Sequence, residues 1–432
     1  METHFDVYNI IILFLEFRSK HKLRVMSKQF KKLYITDLMN IDFMYSNSLD
    51  DNILLNYPRI DKLHKSENIT DINHLTNLRE LNLNLNLNLN LNVDKNYRSI
   101  EFFTKCTNLQ VLYADDIRDV TEFNHFVNLT KLSLRWGFWI IGDNDKNDDC
   151  FKMCTNLEHL NLHKCKEIKN INHLAKLREL EIRSCGIDNE GIKMCTNIER
   201  LEIINNDTID DLNHLTLLNC LILSSKTFKN YGLINCTKLI TLDLIDCDTV
   251  SDINYLTNLI ELKCNHNIRT DDFNKCTKLE KLMPNYNKNI IDINHLTNLI
   301  EVYDGVNLEN IGNCSKLEYL DITNNRHITD INSLTKLEDL QAAHSNLQNN
   351  GIKKCTMLRS IDVSQNCLID NINHLTNLTS LFAGGNLCAI NNSSIIKCIK
   401  LQTISVYKNN KVSNFEHFKF LKHVNGEYNH VC

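Results

Sequence analysis

The clearest feature of the chain is an apolar pattern that returns about every 20 residues. Within each period, apolar residues stand at the first, fourth, sixth and twelfth positions, and polar residues separate them. In the segment 157–162, this alternation places Leu160 and Leu162 on one face of a short strand and turns His159 and Asn161 to the other face. Since one period cannot bury its apolar face alone, the pattern predicts a stack of periods that closes a continuous core.

The pattern, L-x-x-L-x-L-x-x-N-x-x-I, resembles a leucine-rich repeat and occurs 18 times between residues 60 and 432. Most repeats have 20 or 21 residues. They begin at Ile60, Leu78, Leu109, Leu129, Leu157, Leu177, Ile198, Leu218, Leu239, Leu259, Leu279, Leu299, Leu317, Leu337, Leu358, Leu378, Leu401 and Leu421. We therefore expect an α/β fold: a solenoid over 60–432 with a parallel sheet on its concave face.

Two phrases alternate between successive repeats, I-N-H-L and C-T-N/K-L. The cysteine of the second phrase stands three residues before a repeat start, and the first phrase has leucine there, so this position is predicted to be inward and apolar. The cysteines concerned are Cys106, Cys154, Cys195, Cys236, Cys276, Cys314, Cys355 and Cys398. Free cysteine packs as a small apolar residue. Equivalent cysteines two repeats apart would be about 10 Å from each other, so we expect no shared metal ion.

The ninth position of a repeat is asparagine in 11 of the 18 repeats. We expect this asparagine to be buried and to bond the turning backbone. The residues are Asn68, Asn86, Asn206, Asn267, Asn287, Asn307, Asn325, Asn366, Asn386, Asn409 and Asn429, with Cys165, Cys185 and Cys247 in three other repeats. The histidines of I-N-H-L are predicted to decorate the outer surface, at His74, His125, His173, His214, His295, His374 and His417.

Two stretches interrupt the repeat. The run Leu81 to Asn92 alternates Leu and Asn, which predicts an enlarged loop or an extra strand without a catalytic role. Residues 136–149 hold both tryptophans and then an acidic segment, DNDKNDD. That segment lacks the glycine and the terminal glutamate of a calcium loop at the required spacing, so we interpret it as a solvated loop.

The N-terminal residues follow helical rather than repeat spacing. The run IIILFL (10–15) and the segment LRVMSKQFKKL (23–33) together resemble an F-box, although Phe5 and Asp6 replace its usual opening Leu-Pro. We therefore divide the chain into an F-box-like helical segment (1–45), a connector (46–59) and the solenoid (60–432). The resemblance implies docking on a Skp1-like adaptor, with the contact residues Ile11, Leu15, Leu23, Met26 and Phe30. The alternative is a helical cap for the solenoid.

Charge and composition bear on the partners and the location of the protein. The formal charge is −5, which gives no reason to expect nucleic acid or an anionic membrane. The apolar run Val7–Phe17 is too short to span a bilayer and has acidic flanks, so we expect a cytoplasmic protein whose 17 cysteines are reduced. Much Asn, Ile, Lys and Leu with few Gly and Pro resembles proteins of AT-rich genomes, including large viruses of protists.

F-box and repeats together resemble substrate receptors of Skp1-cullin-F-box ubiquitin ligases, in which the repeats capture the protein to be modified. On the concave face, the third, fifth and seventh positions of each repeat point outward. Aromatic residues at these positions, with one aspartate beside them, are the predicted substrate-binding residues: Tyr113, Tyr303, Tyr319, Asp321, Phe382 and Tyr407. Tyr303 and Tyr319 lie in adjacent repeats, so their rings are predicted to be neighbours.

The sequence gives no catalytic motif. It contains no glycine-rich phosphate loop, no G-x-S-x-G and no H-E-x-x-H. Nearly every cysteine and histidine belongs to the repeat, whereas a catalytic site needs a convergent, non-repeated set of residues. We therefore expect no enzyme activity, no cofactor and no metal. The alternative to a ligase receptor is a stand-alone binding scaffold.

Overall fold

The structure is a computed structural model, and it describes residues 37–38, 51–55, 58–64, 69–83, 100–114, 123–135, 150–244 and 246–425. The chain divides into two compact parts, Met1–Ile209 and Asp210–Cys432. The five predicted adaptor residues, Ile11, Leu15, Leu23, Met26 and Phe30, lie outside the described residues. So do most of the Leu-Asn run and the whole tryptophan-containing segment.

Short parallel strands dominate the N-terminal part. Each strand pairs with the next strand along the chain, as in a solenoid. They are β1 (Asp37–Leu38), β2 (Lys62–His64), β3 (Glu80–Asn82), β4 (Val111–Tyr113), β5 (Lys131–Arg135), β6 (His159–His163), β7 (Glu179–Arg183) and β8 (Arg200–Ile204). Strand β1 lies inside the range 1–45 that the sequence assigns to the F-box-like segment, and it pairs in parallel with β2. The sheet therefore begins before the first predicted repeat.

The C-terminal part repeats the same arrangement, again with parallel pairing between successive strands. Its strands are β9 (Cys220–Ser224), β10 (Thr241–Asp243), β11 (Glu261–Lys263), β12 (Lys281–Met283), β13 (Glu301–Val302), β14 (Tyr319–Asp321), β15 (Asp339–Gln341), β16 (Ser360–Asp362), β17 (Ser380–Phe382), β18 (Thr403–Ser405) and β19 (His423–Asn425). Across both parts, a strand begins two residues after each of the 18 predicted repeat starts.

Two tight turns return the chain behind each strand. In the repeat that precedes β3, the Leu75 amide donates to the Ile72 carbonyl and the Leu78 amide to the Leu75 carbonyl, at 2.9 and 3.0 Å. Each turn therefore advances three residues, and its apolar residues fall every third position on one inward side, where all three are fully buried. The apolar spacing I-x-x-L-x-x-L thus produces consecutive turns, because a helix would need a spacing between three and four.

Helical structure is correspondingly scarce in the described residues. There are two α-helical turns, α1 (Asp51–Leu54) and α2 (Asn189–Ile192), and five 3₁₀ turns: Ile100–Phe103, Asn230–Leu233, Thr270–Phe273, Asn349–Ile352 and Asn392–Ser394. All except α1 end three or four residues before a cysteine of the C-T-N/K-L phrase. Six of the eight repeats that carry this phrase therefore have a helical turn, whereas the repeats of Cys154 and Cys314 have none among their described residues.

The cysteines of this phrase are fully buried, as predicted. Each of their thiols also donates to a backbone carbonyl in the preceding repeat, at 3.3–3.6 Å, which the sequence did not indicate; Cys236 to Leu212 and Cys355 to Ile331 are two cases. Burial raises the pKa of the Cys236 and Cys355 thiols to about 12. The position therefore selects a small side chain that can both pack and donate a hydrogen bond.

The Asn and Lys side chains of the two phrases form a second row of hydrogen bonds between repeats. The Asn258 amide donates to the Thr237 carbonyl of the preceding repeat at 2.9 Å, and the Lys278 ammonium donates to the Asn258 side-chain oxygen at 2.7 Å. The same pairing joins Lys316 to Asn298, at 2.6 Å. Where T-N-L is followed by T-K-L, these bonds therefore join one repeat to the next.

The asparagine prediction holds for some repeats and is wrong for others. Asn206, Asn287, Asn325, Asn366 and Asn409 are buried, whereas Asn267 and Asn386 are exposed and Asn307 is half-buried. In the repeat of Asn267, the buried residue is Asn265, whose amide donates to the Val250 carbonyl at 2.9 Å. The buried residue stands three positions before the next inward apolar residue, Ile268, so in this repeat it occupies the seventh position instead of the ninth.

The recurring histidines are half-buried rather than displayed on the outer surface, which corrects the sequence prediction. The His295 ring lies 5.9 Å from the Phe273 ring of the preceding repeat, centroid to centroid. The His374 Nε2 atom is 3.2 Å from the Ile352 carbonyl oxygen. Burial lowers the pKa of His295. Packing between repeats therefore accounts for their periodicity.

Candidate functional site

The outward face of the sheet in the C-terminal part carries the clearest candidate site. Strand alternation buries the middle residue of β14, Leu320, and turns Tyr319 and Asp321 outward. Tyr303 follows the short strand β13, and its ring centroid is 4.5 Å from that of Tyr319, with the ring planes at 31°. The two rings are therefore neighbours, as predicted, and together they form an aromatic surface shared by two repeats.

Three further residues lie around this pair. Tyr286 and Asp304 stand in the turns after β12 and β13, both with positive φ, at 57° and 51°. A hydrogen bond joins their side chains. Asp339 begins β15 and pairs in register with Tyr319. We call this group the tyrosine–aspartate patch: Tyr286, Tyr303, Asp304, Tyr319, Asp321 and Asp339.

Negative charge is crowded in the patch. Burial and the charge of Asp321 raise the pKa of Asp304, although the hydrogen bond from Tyr286 lowers it in part. Burial, followed by the charges of Asp321 and Asp339, raises the pKa of the Tyr319 hydroxyl to about 12. The neighbouring carboxylates contribute to both shifts after burial, and the concentration of negative charge makes the patch suited to a positively charged group.

The polar bonds of the patch leave carboxylate oxygens available. One oxygen of Asp321 accepts from the Thr323 amide at 2.9 Å, and one oxygen of Asp339 accepts from the Gln341 side chain at 2.7 Å. No lysine, arginine or histidine of the described residues lies within 4.0 Å of the carboxylates of Asp304, Asp321 or Asp339.

The other predicted residues do not join this group. Phe382 ends β17, three strands beyond Tyr319, so it lies about 14 Å along the sheet. Tyr407 lies beyond β18, more than half exposed, with the Lys408 ammonium 5.1 Å from its ring centroid. Tyr113 belongs to β4 in the N-terminal part, where the Lys131 ammonium is 5.4 Å from its ring centroid.

Sequence reasoning missed Tyr286, Asp304 and Asp339. Asp339 occupies a third position, which the pattern turns outward, but the prediction included only aromatic residues at such positions and Asp321. Tyr286 and Asp304 fall in the turns after β12 and β13, at the eighth and sixth positions of their repeats, so they lie outside the third, fifth and seventh positions. A search for acidic residues beside the predicted tyrosine pair would have found Asp304 and Asp339.

A polar recess in the N-terminal part is a weaker candidate. It has a volume of about 610 Å³ and is lined by Arg59, Asp61, Asn77, Arg79, Asn108, Gln110 and Asn128. Its asparagine amides already donate to the preceding repeat: Asn108 to the Thr76 carbonyl at 2.8 Å and Asn128 to the Thr107 carbonyl at 3.1 Å. The recess is therefore explained by the bonding between repeats.

No group of three or more His, Cys, Asp or Glu is arranged to hold a metal ion within the described ranges. None of the helices in the same ranges is long and apolar enough to cross a membrane.

Solved structures with the same architecture identify the fold. A leucine-rich-repeat protein of Leptospira interrogans matches with a TM-score of 0.58 and 18% identity, over 81% of this chain and 96% of that chain. The TLR13–ssRNA13 complex matches with a TM-score of 0.55 and 17% identity, over 86% of this chain and 61% of that chain. The functional domain of InlJ from Listeria monocytogenes, described as including a cysteine ladder, gives 0.46 and 20%, over 83% and 71%.

These similarities show the leucine-rich-repeat fold, a parallel-sheet solenoid with little helix. No protein-family model matches the sequence, and no curated protein matches it either.

Proposed function

We propose that the chain is a protein-interaction receptor whose outward sheet face captures a partner protein, and that it binds without catalysing a reaction. The observation that supports this most is the tyrosine–aspartate patch. Tyr303 and Tyr319 present a paired aromatic surface, and tyrosine is enriched where binding energy concentrates. The repeat fold supports the proposal too, because solenoids expose extended surfaces of this kind.

We further propose that the chain is the substrate-recognition subunit of a Skp1-cullin-F-box ubiquitin ligase. The support is the resemblance of the N-terminal sequence to an F-box, with Ile11, Leu15, Leu23, Met26 and Phe30 against the adaptor. A cytoplasmic location, including the host cytoplasm of a virus, fits the 16 described cysteines, all of which are free thiols.

Binding experiments on the full chain with two pairs of substitutions separate these proposals. Leu15→Asp with Met26→Asp should abolish binding to purified Skp1, because each places a charge in an apolar contact. The same variant should still capture the partner. No binding of Skp1 by the unmutated chain would refute the ligase role and leave the stand-alone scaffold, with the N-terminal helices as a cap.

The second pair tests the sheet face. Tyr303→Ala with Tyr319→Ala should weaken partner capture at least about tenfold, since buried interface tyrosines are often worth 2 kcal/mol or more. Met357→Ala with Ile399→Ala, two exposed apolar side chains on the turn side, provides the control and should leave capture unchanged. Equal capture by the tyrosine variant and the unmutated chain would count against the sheet face.

A further inference from the structure

The chain already holds one of its own cations beside the tyrosine–aspartate patch. The Lys281 ammonium on β12 lies 5.2 Å from the Tyr303 ring centroid and 3.3 Å from a carboxylate oxygen of Glu301. The Tyr303 hydroxyl donates to the same carboxylate at 2.9 Å. Ring and carboxylate therefore bind a cation together, as in cation–π sites.

The next repeat offers the same combination without a cation of its own. The Tyr319 ring lies against the Tyr303 ring, and Asp304, Asp321 and Asp339 lie around it. Among the described residues, no ammonium or guanidinium lies over the Tyr319 ring, and the three carboxylates have no cationic partner. Tyr319 with its aspartates is therefore equivalent to Tyr303 with Glu301, but it can bind a cation from another molecule.

The surrounding sheet face has the charge that such a group requires. Along β13 to β16, the outward residues are acidic, neutral polar or aromatic: Glu301, Tyr303, Tyr319, Asp321, Asp339, Gln341, Ser360 and Asp362. A partner with several positive charges would therefore meet complementary charge over four adjacent strands. Negatively charged partners, nucleic acid among them, would be repelled.

We propose that this face binds an extended, arginine-bearing segment of a protein partner, with one guanidinium over Tyr319 and its donors toward Asp321 and Asp304. This inference rests on the proposed receptor function and specifies the partner's chemistry. Arginine fits better than lysine, because its planar guanidinium stacks on an aromatic ring and can bond a carboxylate through two donors at once.

The test uses the full chain and a fluorescein-labelled peptide of alternating Arg and Ser, with anisotropy read at about 150 mM salt. We expect saturable binding, several-fold weaker binding of the Lys-Ser peptide, and none of the Glu-Ser peptide. Tyr319→Ala should weaken binding of the Arg-Ser peptide about tenfold or more. Asp304→Asn with Asp321→Asn should have an effect of similar size.

Two controls separate a site from general attraction to an acidic protein. Asp248→Asn with Glu416→Gln removes the same formal charge from exposed positions away from the patch, and it should change affinity less than about twofold. The Asp304/Asp321 variant should unfold at the same or a higher temperature than the unmutated chain, because it relieves repulsion between the two carboxylates.

The proposal would be overturned if the Asp304/Asp321 variant and the charge control lost equal affinity for the Arg-Ser peptide. Equal affinity for the Lys-Ser and Arg-Ser peptides would also overturn it, as would the absence of saturable binding. If the Arg-Ser peptide fails to bind while Tyr303→Ala with Tyr319→Ala still weakens partner capture, only the partner chemistry is wrong. If Tyr303→Ala with Tyr319→Ala also leaves partner capture unchanged, the receptor proposal itself is wrong.

Discussion

Single buried amides close the turn that follows a strand, and Asn325 shows how. Its side chain is fully buried and donates to the Gly305 and Leu308 carbonyls of the preceding repeat at 2.6 and 2.8 Å. Its oxygen accepts from the His327 and Ile328 amides, both at 2.8 Å. One residue therefore satisfies four backbone groups that have no ladder partner.

Removal of this amide should be costly. Asn325→Ala removes the side-chain partner of the Leu308 carbonyl and of the Ile328 amide, which belong to buried residues, and we expect the free energy of unfolding to fall by about 2–4 kcal/mol, measured by chemical denaturation. Asn386→Ala is the matched control, since Asn386 occupies the same ninth position but is exposed. It should change stability by less than about 0.5 kcal/mol. Similar losses in both variants would show that the bonding at Asn325 adds little.

The buried thiols predict a loss of stability at alkaline pH. The folded-state pKa of Cys236 and Cys355 is about 12, above the ordinary value of 9.0. Each thiol's contribution is complete below about pH 9 and is lost as pH rises toward 12, because only the unfolded chain releases the proton. One pH unit above the unfolded value, each thiol accounts for roughly 1.4 kcal/mol.

Denaturation midpoints at about pH 8 and pH 10 would check this. Cys236→Ala with Cys355→Ala should lose stability at the lower pH, because cavities form, yet show a shallower fall between the two pH values. Cys367→Ala, at an exposed cysteine, should keep the original slope. An unaltered slope in the buried pair would contradict the prediction.

At the scale of the element, the backbones of adjacent repeats approach closely at the glycine of some helical turns. Gly351 lies in the 3₁₀ turn Asn349–Ile352, and a Cβ atom there would be 1.9 Å from the Thr329 carbonyl oxygen of the preceding repeat. At Gly312, by contrast, the nearest atom would be the Ser333 hydroxyl at 3.8 Å. Only the first glycine is therefore required by contact between repeats.

Two alanine substitutions test this difference. Gly351→Ala must displace backbone and should lower the melting temperature, with a cost of about 1–3 kcal/mol. Gly312→Ala should be neutral or slightly stabilising, by up to about 1 kcal/mol, since alanine restricts the unfolded chain. If both variants melt together with the unmutated chain, the turns adapt more freely than the close contact suggests.

Much of the element scale could be predicted from the sequence. The spacing of leucines fixes which residues face inward, because a parallel strand alternates and a tight turn advances three residues. The bonds of Lys278 to Asn258 and of Cys236 to the Leu212 carbonyl could not be predicted, since they join residues that meet only when repeats stack. Asn267 was assigned wrongly because we counted forward from the repeat start instead of back from Ile268.

At the scale of the whole molecule, the fold serves to display side chains. The two compact parts contain successive parallel strands whose outward residues belong to no core. The sequence predicted Tyr303, Tyr319 and Asp321 on this face, but the crowding of charge around them became visible only with the turn residues Tyr286 and Asp304 in place. The F-box resemblance falls on residues outside the described ranges and stays a prediction.

Site-specific photocrosslinking in the full chain tests capture by the sheet face most directly. A benzophenone amino acid replaces Ser360, an outward residue of β16, or Lys397, an exposed residue on the turn side. Irradiation with the partner present should give a crosslinked protein from position 360, and excess Arg-Ser peptide should suppress it. Position 397 should give none. Crosslinking from position 397 alone would show that the partner binds the opposite side of the repeats, and the account would be wrong.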